Sequence, residues 1–332
     1  MCLIFYEIKK GTPMKYQIYF LISLLLAKSA FASDISQYTV DFHASMGKDH
    51  PIYAHYYEKG MQSAQAQKIL QRLETIYTKN IFTNIAPSTT AKIPKIVHQI
   101  WLGSPLPERF KSYTESWRIH HPDWEYKLWN DADIAALHLE NEQEYNKAIN
   151  YAERSDIARY EILYRFGGLY VDTDCQCIQP LDMLHHYYDF YSGLELPAMA
   201  LFLQPIIMPN ALIACAPGHI IMRTCMDRIK QNSTGSSDVV IKTGPLMFTK
   251  SVLDMIDTGS TTDMIFPATF FYPIDKNVKG QKQIQELCKP ETFAVHHWAG
   301  SWILKEEAFV PGIKIRSKIV DNTIRFTIVD ER

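Results

Sequence analysis

The feature that most constrains this chain is the stretch from Ile93 to Asp174, where strand-like and helix-like text alternate and finally run into two aspartates. Ile96-Val97-His98-Gln99-Ile100-Trp101 is an apolar run stopped by Gly103 and Pro105, which predicts a buried strand entering a loop. Tyr113 to His120 has helical spacing and is broken by Pro122. Trp124 to Trp129 then alternates as a half-buried strand does, and Asn130-Asp131 opens another helix. Residues 153 to 166 set Ile157, Tyr160, Ile162, Leu163, Tyr164 and Phe166 on a helix that Gly167 caps, and Leu169-Tyr170-Val171 follows as a short strand. Strands alternating with helices of this length predict an α/β layered domain around a largely parallel sheet. Ligands of such sheets gather at the carboxyl ends of strands, and Asp172-Thr173-Asp174 lies at one.

The flanks read differently. Residues 33 to 92 are polar and carry Ile69, Leu70, Leu73, Ile76 and Tyr77 at helical spacing, a helical extension before a domain at 93–303. Further strands are predicted at Phe266 to Tyr272 and Phe293 to His297, and residues 304–332 hold a β-hairpin around Asp321-Asn322. At the start, Lys15, the apolar run Ile18 to Ala27 and Ala30-Phe31-Ala32 read as a signal peptide over residues 1–32, cleaved after Ala32, which predicts a secreted or periplasmic protein. Left uncleaved, the same segment would be a membrane anchor. Residues 1 to 13 either lengthen its basic start or precede a true start at Met14. A net charge of -2 gives no global positive field of the kind nucleic-acid binding needs, so no nucleic-acid partner is expected. Six cysteines, five after loss of Cys2, do not read as a disulfide framework, and Cys175-Gln176-Cys177 lacks a second pair at zinc spacing.

Two aspartates one residue apart, where a strand runs out, can both reach one divalent ion. Their hard oxygens suit Mn²⁺ or Mg²⁺, and such an ion neutralises charge that develops on a departing diphosphate. Taken alone, Asp-x-Asp fits a solvated turn equally well. Asp156 and Arg159 share one helical face, where they form either a site pair or a plain ion pair.

The motifs Ile93-Pro94-Lys95-Ile96-Val97-His98-Gln99-Ile100-Trp101-Leu102-Gly103, Ser155-Asp156-Ile157-Ala158-Arg159-Tyr160-Glu161-Ile162-Leu163 and Gly167-Gly168-Leu169-Tyr170-Val171-Asp172-Thr173-Asp174 stand in that order. Together they resemble glycosyltransferase family 32, which includes yeast-type initiating mannosyltransferases and is related to the glucosyltransferase domain of large clostridial cytotoxins. Lys242-Thr243-Gly244-Pro245 and His296 to Trp302 extend the likeness more loosely. The resemblance implies a GT-A fold, a retaining reaction and a nucleotide-sugar donor held with Mn²⁺ (or Mg²⁺). It makes Trp101 the platform for the donor's base, with core packing the alternative. It gives Asp156 and Arg159 the sugar hydroxyls and phosphate, Gly168 and Tyr170 donor contacts, and Ser301 and Trp302 the diphosphate. Asp174 becomes the direct metal ligand and Asp172 a ligand to ribose and metal; with Arg159 these carry catalysis. His296 and His297 face opposite ways in a strand, so one can reach the ion, and His297 is the expected one.

The function so implied is retaining transfer from a UDP-sugar, or from GDP-mannose, to a glycan or protein acceptor. Its rivals are an Asp-nucleophile phosphohydrolase, disfavoured because the motif arrives after two strands and three helices, and a secreted sugar-binding protein without catalysis. Export would take the enzyme where nucleotide-sugars are scarce, so it works either in a donor-supplied lumen or inside another cell; Ala30-Phe31-Ala32 and the resemblance to the toxins point to an exported bacterial enzyme acting on a host protein or a surface glycan. The segment Glu195 to Pro209 carries no readable acceptor motif.

Overall fold

A computed structural model describes residues 35–197, 206–232, 238–256, 258, 262–278 and 280–300, and the backbone of 313–320 and 323–330. The leader expected at 1–32, with Ser301 and Trp302, lies outside these residues. The strands are β1 (Ile96–Ile100), β2 (Glu125–Trp129), β3 (Gly168–Val171), β4 (Cys175–Cys177), β5 (Phe190–Gly193), β6 (Leu212–Cys215), β7 (Asp263–Phe266), β8 (Ala294–His296), β9 (Ile313–Val320) and β10 (Thr323–Asp330). The helices that matter below are α1 (Ala64–Asn80), α2 (Glu108–His120), α3 (Tyr151–Phe166), α4 (Ile220–Asn232) and α5 (Pro245–Met255).

The central sheet has the order β2-β1-β3-β6-β5-β7. β1 runs parallel to β2 and β3, and β5 parallel to β7, while β6 is antiparallel to both β3 and β5. The α/β architecture is as expected, but the sheet is mixed rather than largely parallel. Because β6 reverses between them, β3 and β5 point the same way, and their carboxyl ends share one edge of the sheet. A second, small pairing joins β4 to β8 with Cys175 opposite His296. β9 and β10 form an antiparallel hairpin over their whole length.

The α3–β3 junction shows how the sequence sets the frame. Asn150 caps α3 by accepting a hydrogen bond from the Glu153 amide. At the other end Gly167 takes φ +63°, and a Cβ there would meet Pro217 Cδ at 2.7 Å. Gly168 takes φ +91°, and its missing Cβ would lie 2.8 Å from the Ile96 carbonyl oxygen. Only glycine lets the helix turn straight into a strand that lies this close to β1. His98 locks the junction: Nε2 is 3.0 Å from the Gly167 carbonyl, and Nδ1 accepts from Trp129 Nε1 at 3.2 Å. Burial pushes this imidazole down to about 4, so it stays neutral, as an accepting Nδ1 requires.

Residues 35–82 do not form an appendage. α1, capped by Ser63, buries Leu70, Leu73, Ile76 and Tyr77 in the same core as the sheet. Asn80 Nδ2 donates to the Asp263 carbonyl at 2.9 Å, and Arg72 Nη1 to the Leu253 carbonyl at 2.7 Å. The strand expected at Phe266 to Tyr272 is shorter and earlier. β7 ends at Phe266, Pro267 stops it, and Ala268–Phe270 makes a 3₁₀ turn that packs Phe266 and Phe270 ring to ring at 4.6 Å. Cys175, Cys177, Cys215, Cys225 and Cys288 are free thiols. Among the described residues no helix is long and apolar enough to cross a membrane.

Candidate active site

The Asp172 amide donates to the Ala211 carbonyl at 2.8 Å and closes the end of β3 onto β6. The chain then turns, Cys175 N bonding to Asp172 O at 3.0 Å, before β4 pairs with β8. This turn sets the two aspartates side by side at the edge, Asp172 against Arg159 and Asp174 against His296, where a continuing strand would have sent Asp174 further along the sheet face. Gln99 at the end of β1 donates through Nε2 to the Asp172 carbonyl at 3.1 Å and fixes the turn from the other side.

Arg159 reaches the edge from the middle of α3. Its Nη2 lies 3.0 Å from Asp156 Oδ1 and its Nη1 3.2 Å from Asp172 Oδ1. Nη1 also donates to the Asn210 carbonyl at 2.6 Å, and the guanidinium sits 4.4 Å over the Tyr170 ring. Burial works against this cation, but Tyr170, Asp172 and Asp156 around it raise its proton affinity, so it remains charged. Asp156 is deeply buried, and burial pushes its carboxyl up to about 6 despite Arg159. Its oxygens are engaged within the chain by Arg159, Asn210 Nδ2 at 2.8 Å and Thr243 Oγ1 at 3.0 Å. The ion-pair alternative and the site reading therefore combine: Asp156 positions Arg159, and Arg159 presents the charge.

Tyr170 is not open to a donor. It is 1 % exposed, and its hydroxyl donates to Asp172 Oδ1 at 2.8 Å. The contacts it makes at the edge are with Asp172 and Arg159. Gly168, expected at the donor, opens β3 a strand length from the aspartate edge, and its bare Cα serves the packing on β1. Trp101, just past β1, stays half-buried with Nε1 donating to Ser104 Oγ at 3.1 Å and its ring 5.3 Å from Phe110. It is outside the buried core, so a face remains for a base.

Of the two histidines it is His296, and not the expected His297, that faces Asp174. Pairing of β8 with β4 turns His296 inward, with Nε2 3.2 Å from Asp174 Oδ1, whereas His297 turns outward, stacks on Tyr113 at 4.2 Å and meets Gln176 Oε1 at 3.0 Å. Asp174 also accepts from the Ala299 amide at 2.7 Å. Burial alone would raise its carboxyl, but His296 and that amide hold it at about 2, while burial of His296 is outweighed by Asp174, which raises the imidazole. Burial raises Asp172, incompletely, since 29 % of its side chain meets solvent.

Asp174, Cys175 and His296 bring potential ligand atoms within 4.8 Å of one another. Burial drives the Cys175 thiol well above its usual range, so it stays protonated and is a poor ligand. With that thiol set aside, Asp174 and His296 remain, one carboxylate and one imidazole, a donor pair that suits Mn²⁺, which accepts oxygen and borderline nitrogen ligands. Among the described residues His296 Nδ1 is buried without a hydrogen-bond partner, the kind of atom a metal would satisfy.

Residues 107–191 match the family described as glycosyltransferase sugar-binding region containing DXD motif. The chain is 34% identical over 154 residues to inositol phosphoceramide mannosyltransferase 3 of Schizosaccharomyces pombe, covering 45% of this chain and 40% of that one. It is 31% identical over 150 residues to the mannosyl phosphorylinositol ceramide synthase SUR1 of Saccharomyces cerevisiae, covering 44% and 37%. The matched stretch spans less than half of either relative's length. Among solved structures, the PaToxG glycosyltransferase superposes with a TM-score of 0.45 at 20% identity, covering 62% of this chain and 80% of that one. The matched region contains α2, β2, α3 and the whole Asp172–Asp174 turn, set in the mixed α/β sheet. Asn210 and Thr243, which tie Asp156 and Tyr160 to β6 and α5, complete its floor: Asn210 Nδ2 also reaches Tyr160 Oη at 2.9 Å, and that hydroxyl donates to the Thr243 carbonyl at 2.8 Å.

Proposed function

We propose that this protein transfers a hexose with retention from a nucleoside-diphosphate sugar to a hydroxyl-bearing acceptor, with a divalent metal, Mn²⁺ by preference, at Asp172, Asp174 and His296. The single observation that carries the reading is the meeting of Arg159 and Asp172 at 3.2 Å on the carboxyl edge, with Asp174 beside them. Asp156, Asp172 and Asp174 face one guanidinium and one imidazole there. Such a site is too negative to take a diphosphate by itself. A bound divalent cation would reverse that sign and stabilise charge on the leaving phosphate. Arg159, held rigid on four sides, would add a fixed donor to the same oxygens. Asp156, Asp172 and Asp174 are each engaged by partners within the chain, so attack by the acceptor hydroxyl on the face the diphosphate leaves, with the proton passing to that diphosphate, fits the residues present. The mannosyltransferase names of the sequence relatives favour mannose as the hexose and GDP-mannose over a UDP-sugar as donor. They also favour a lipid-borne polyol acceptor over a protein. The leader-like residues 14–32 would export the chain.

The test is nucleotide release from GDP-mannose and UDP-glucose by the purified chain with Mn²⁺. Release from one donor, abolished by chelator and by Asp174→Asn, is the expected result. A folded protein that neither releases nor binds either nucleotide would refute it.

A further inference from the structure

Glu195 is the buried carboxyl that the site as described does not use. It follows β5, whose carboxyl end shares an edge with that of β3. One strand, β6, separates the two, so Glu195 stands about 10 Å from the line of Asp172, two strand spacings away. That gap is the width of a sugar ring with a hydroxyl hydrogen-bonded beyond it. Tyr272 bridges the interval: a Cβ on Gly193 would touch its ring at 3.3 Å, its hydroxyl lies 3.3 Å from the Pro209 carbonyl, and its ring is 6.1 Å from His296. Asp172 and Glu195 are both charge neighbours of that hydroxyl.

The side chain is 6 % exposed, and among the described residues its carboxyl makes no hydrogen bond; only its amide is tied, to the Ile207 carbonyl at 3.1 Å. It lines a cavity with Met46, Tyr57, Met61, Leu194 and Ile206, where the N-terminal helices wall this side of the edge. A carboxyl in an apolar wall without a partner is costly and would not persist for packing alone.

We propose that Glu195 is the acceptor-side residue of the site: its carboxyl takes the attacking hydroxyl. The proposal rests on the transferase reading above. Burial raises Glu195 to about 8, so at neutral pH it is an acid that both donates and accepts, suited to holding a hydroxyl and unsuited to removing its proton. The balance of the step is unchanged. The acceptor oxygen bonds to the anomeric carbon, the bond to the diphosphate breaks, the hydroxyl proton goes to the leaving phosphate, and Glu195 exchanges no proton.

Water can stand in as the acceptor, so the test uses the full chain with Mn²⁺ and GDP-mannose alone, reading the turnover of GDP release, and binding of GDP with Mn²⁺ by calorimetry. Glu195→Ala is expected to lower turnover about 10-fold or more with the Kd for GDP held within two-fold, and Glu195→Gln to restore most of that loss. Glu195→Leu, which suits the apolar wall, replaces Ala should that variant unfold. Equal loss of GDP binding, turnover of Ala and Leu within two-fold of wild type, or failure of Gln to restore it would overturn the assignment. Wild-type chain that binds GDP yet releases none from GDP-mannose or UDP-glucose would overturn it together with the transferase reading.

Discussion

Replacing Glu195 by Gln should make the protein more stable, and only above a particular pH. The carboxyl is 6 % exposed among apolar side chains, and burial raises it from the ordinary 4.5 to about 8. Between those two values the unfolded chain has released this proton while the folded one keeps it. The folded state therefore binds more protons, and stability falls as pH rises through the window. From 4.5 to pH 7 is about 2.5 units at roughly 1.4 kcal/mol each, a cost of about 3 kcal/mol at neutral pH that is absent below pH 4 and grows to about 5 kcal/mol above pH 8. Gln copies the shape and polarity of the neutral acid and has no proton to lose. Thermal or urea unfolding of both proteins from pH 4 to 8.5 should therefore give curves that coincide at the acid end and diverge to about 3 kcal/mol, or about 5 °C in Tm for a chain of this size, at pH 7. A constant offset at all pH values would show that Gln changes packing rather than titration. No difference at pH 7 would show that Glu195 has found a charged or hydrogen-bonded partner.

Gly168→Ala should cost about 2 kcal/mol or more in urea unfolding, from φ +91° and a Cβ 2.8 Å from the Ile96 carbonyl, while the folded fraction binds GDP with unchanged affinity; weakened binding at normal stability would restore a donor contact there. His296→Ala should weaken Mn²⁺ binding about 10-fold or more in calorimetry and His297→Ala far less, and the opposite ranking would undo the assignment of the inward histidine. Arg159→Lys should lower nucleotide release about 100-fold, because an ammonium cannot span Asp156, Asp172 and the Asn210 carbonyl together; turnover within three-fold of wild type would mean that charge alone suffices.

What could be read from the sequence follows from how local each cause is. The aspartate turn, Arg159 and the glycine cap of α3 are written in adjacent residues, where strand length, helical spacing and the need for positive φ act within one or two turns of chain. The places of Gly168 and Tyr170 in the fold were not legible, because a motif groups residues along the chain, whereas β3 spreads them along the strand. His296 and His297 differ only in which way a three-residue strand faces, and that is set by the register of β8 on β4, partners more than a hundred residues apart. Asn210 and Glu195 depended on β5 and β6, four-residue strands whose apolar text is too short to tell from a buried turn and whose antiparallel insertion reverses the sheet. That reversal matters most for function. With β6 parallel, Asn210 would sit at the far edge and could not hold Asp156 at 2.8 Å, and Arg159 would lose the carbonyl that, with Asp156, aims it at Asp172. The antiparallel strand is thus what converts an ion pair on α3 into a site, a long-range property that no spacing of residues along the chain encodes.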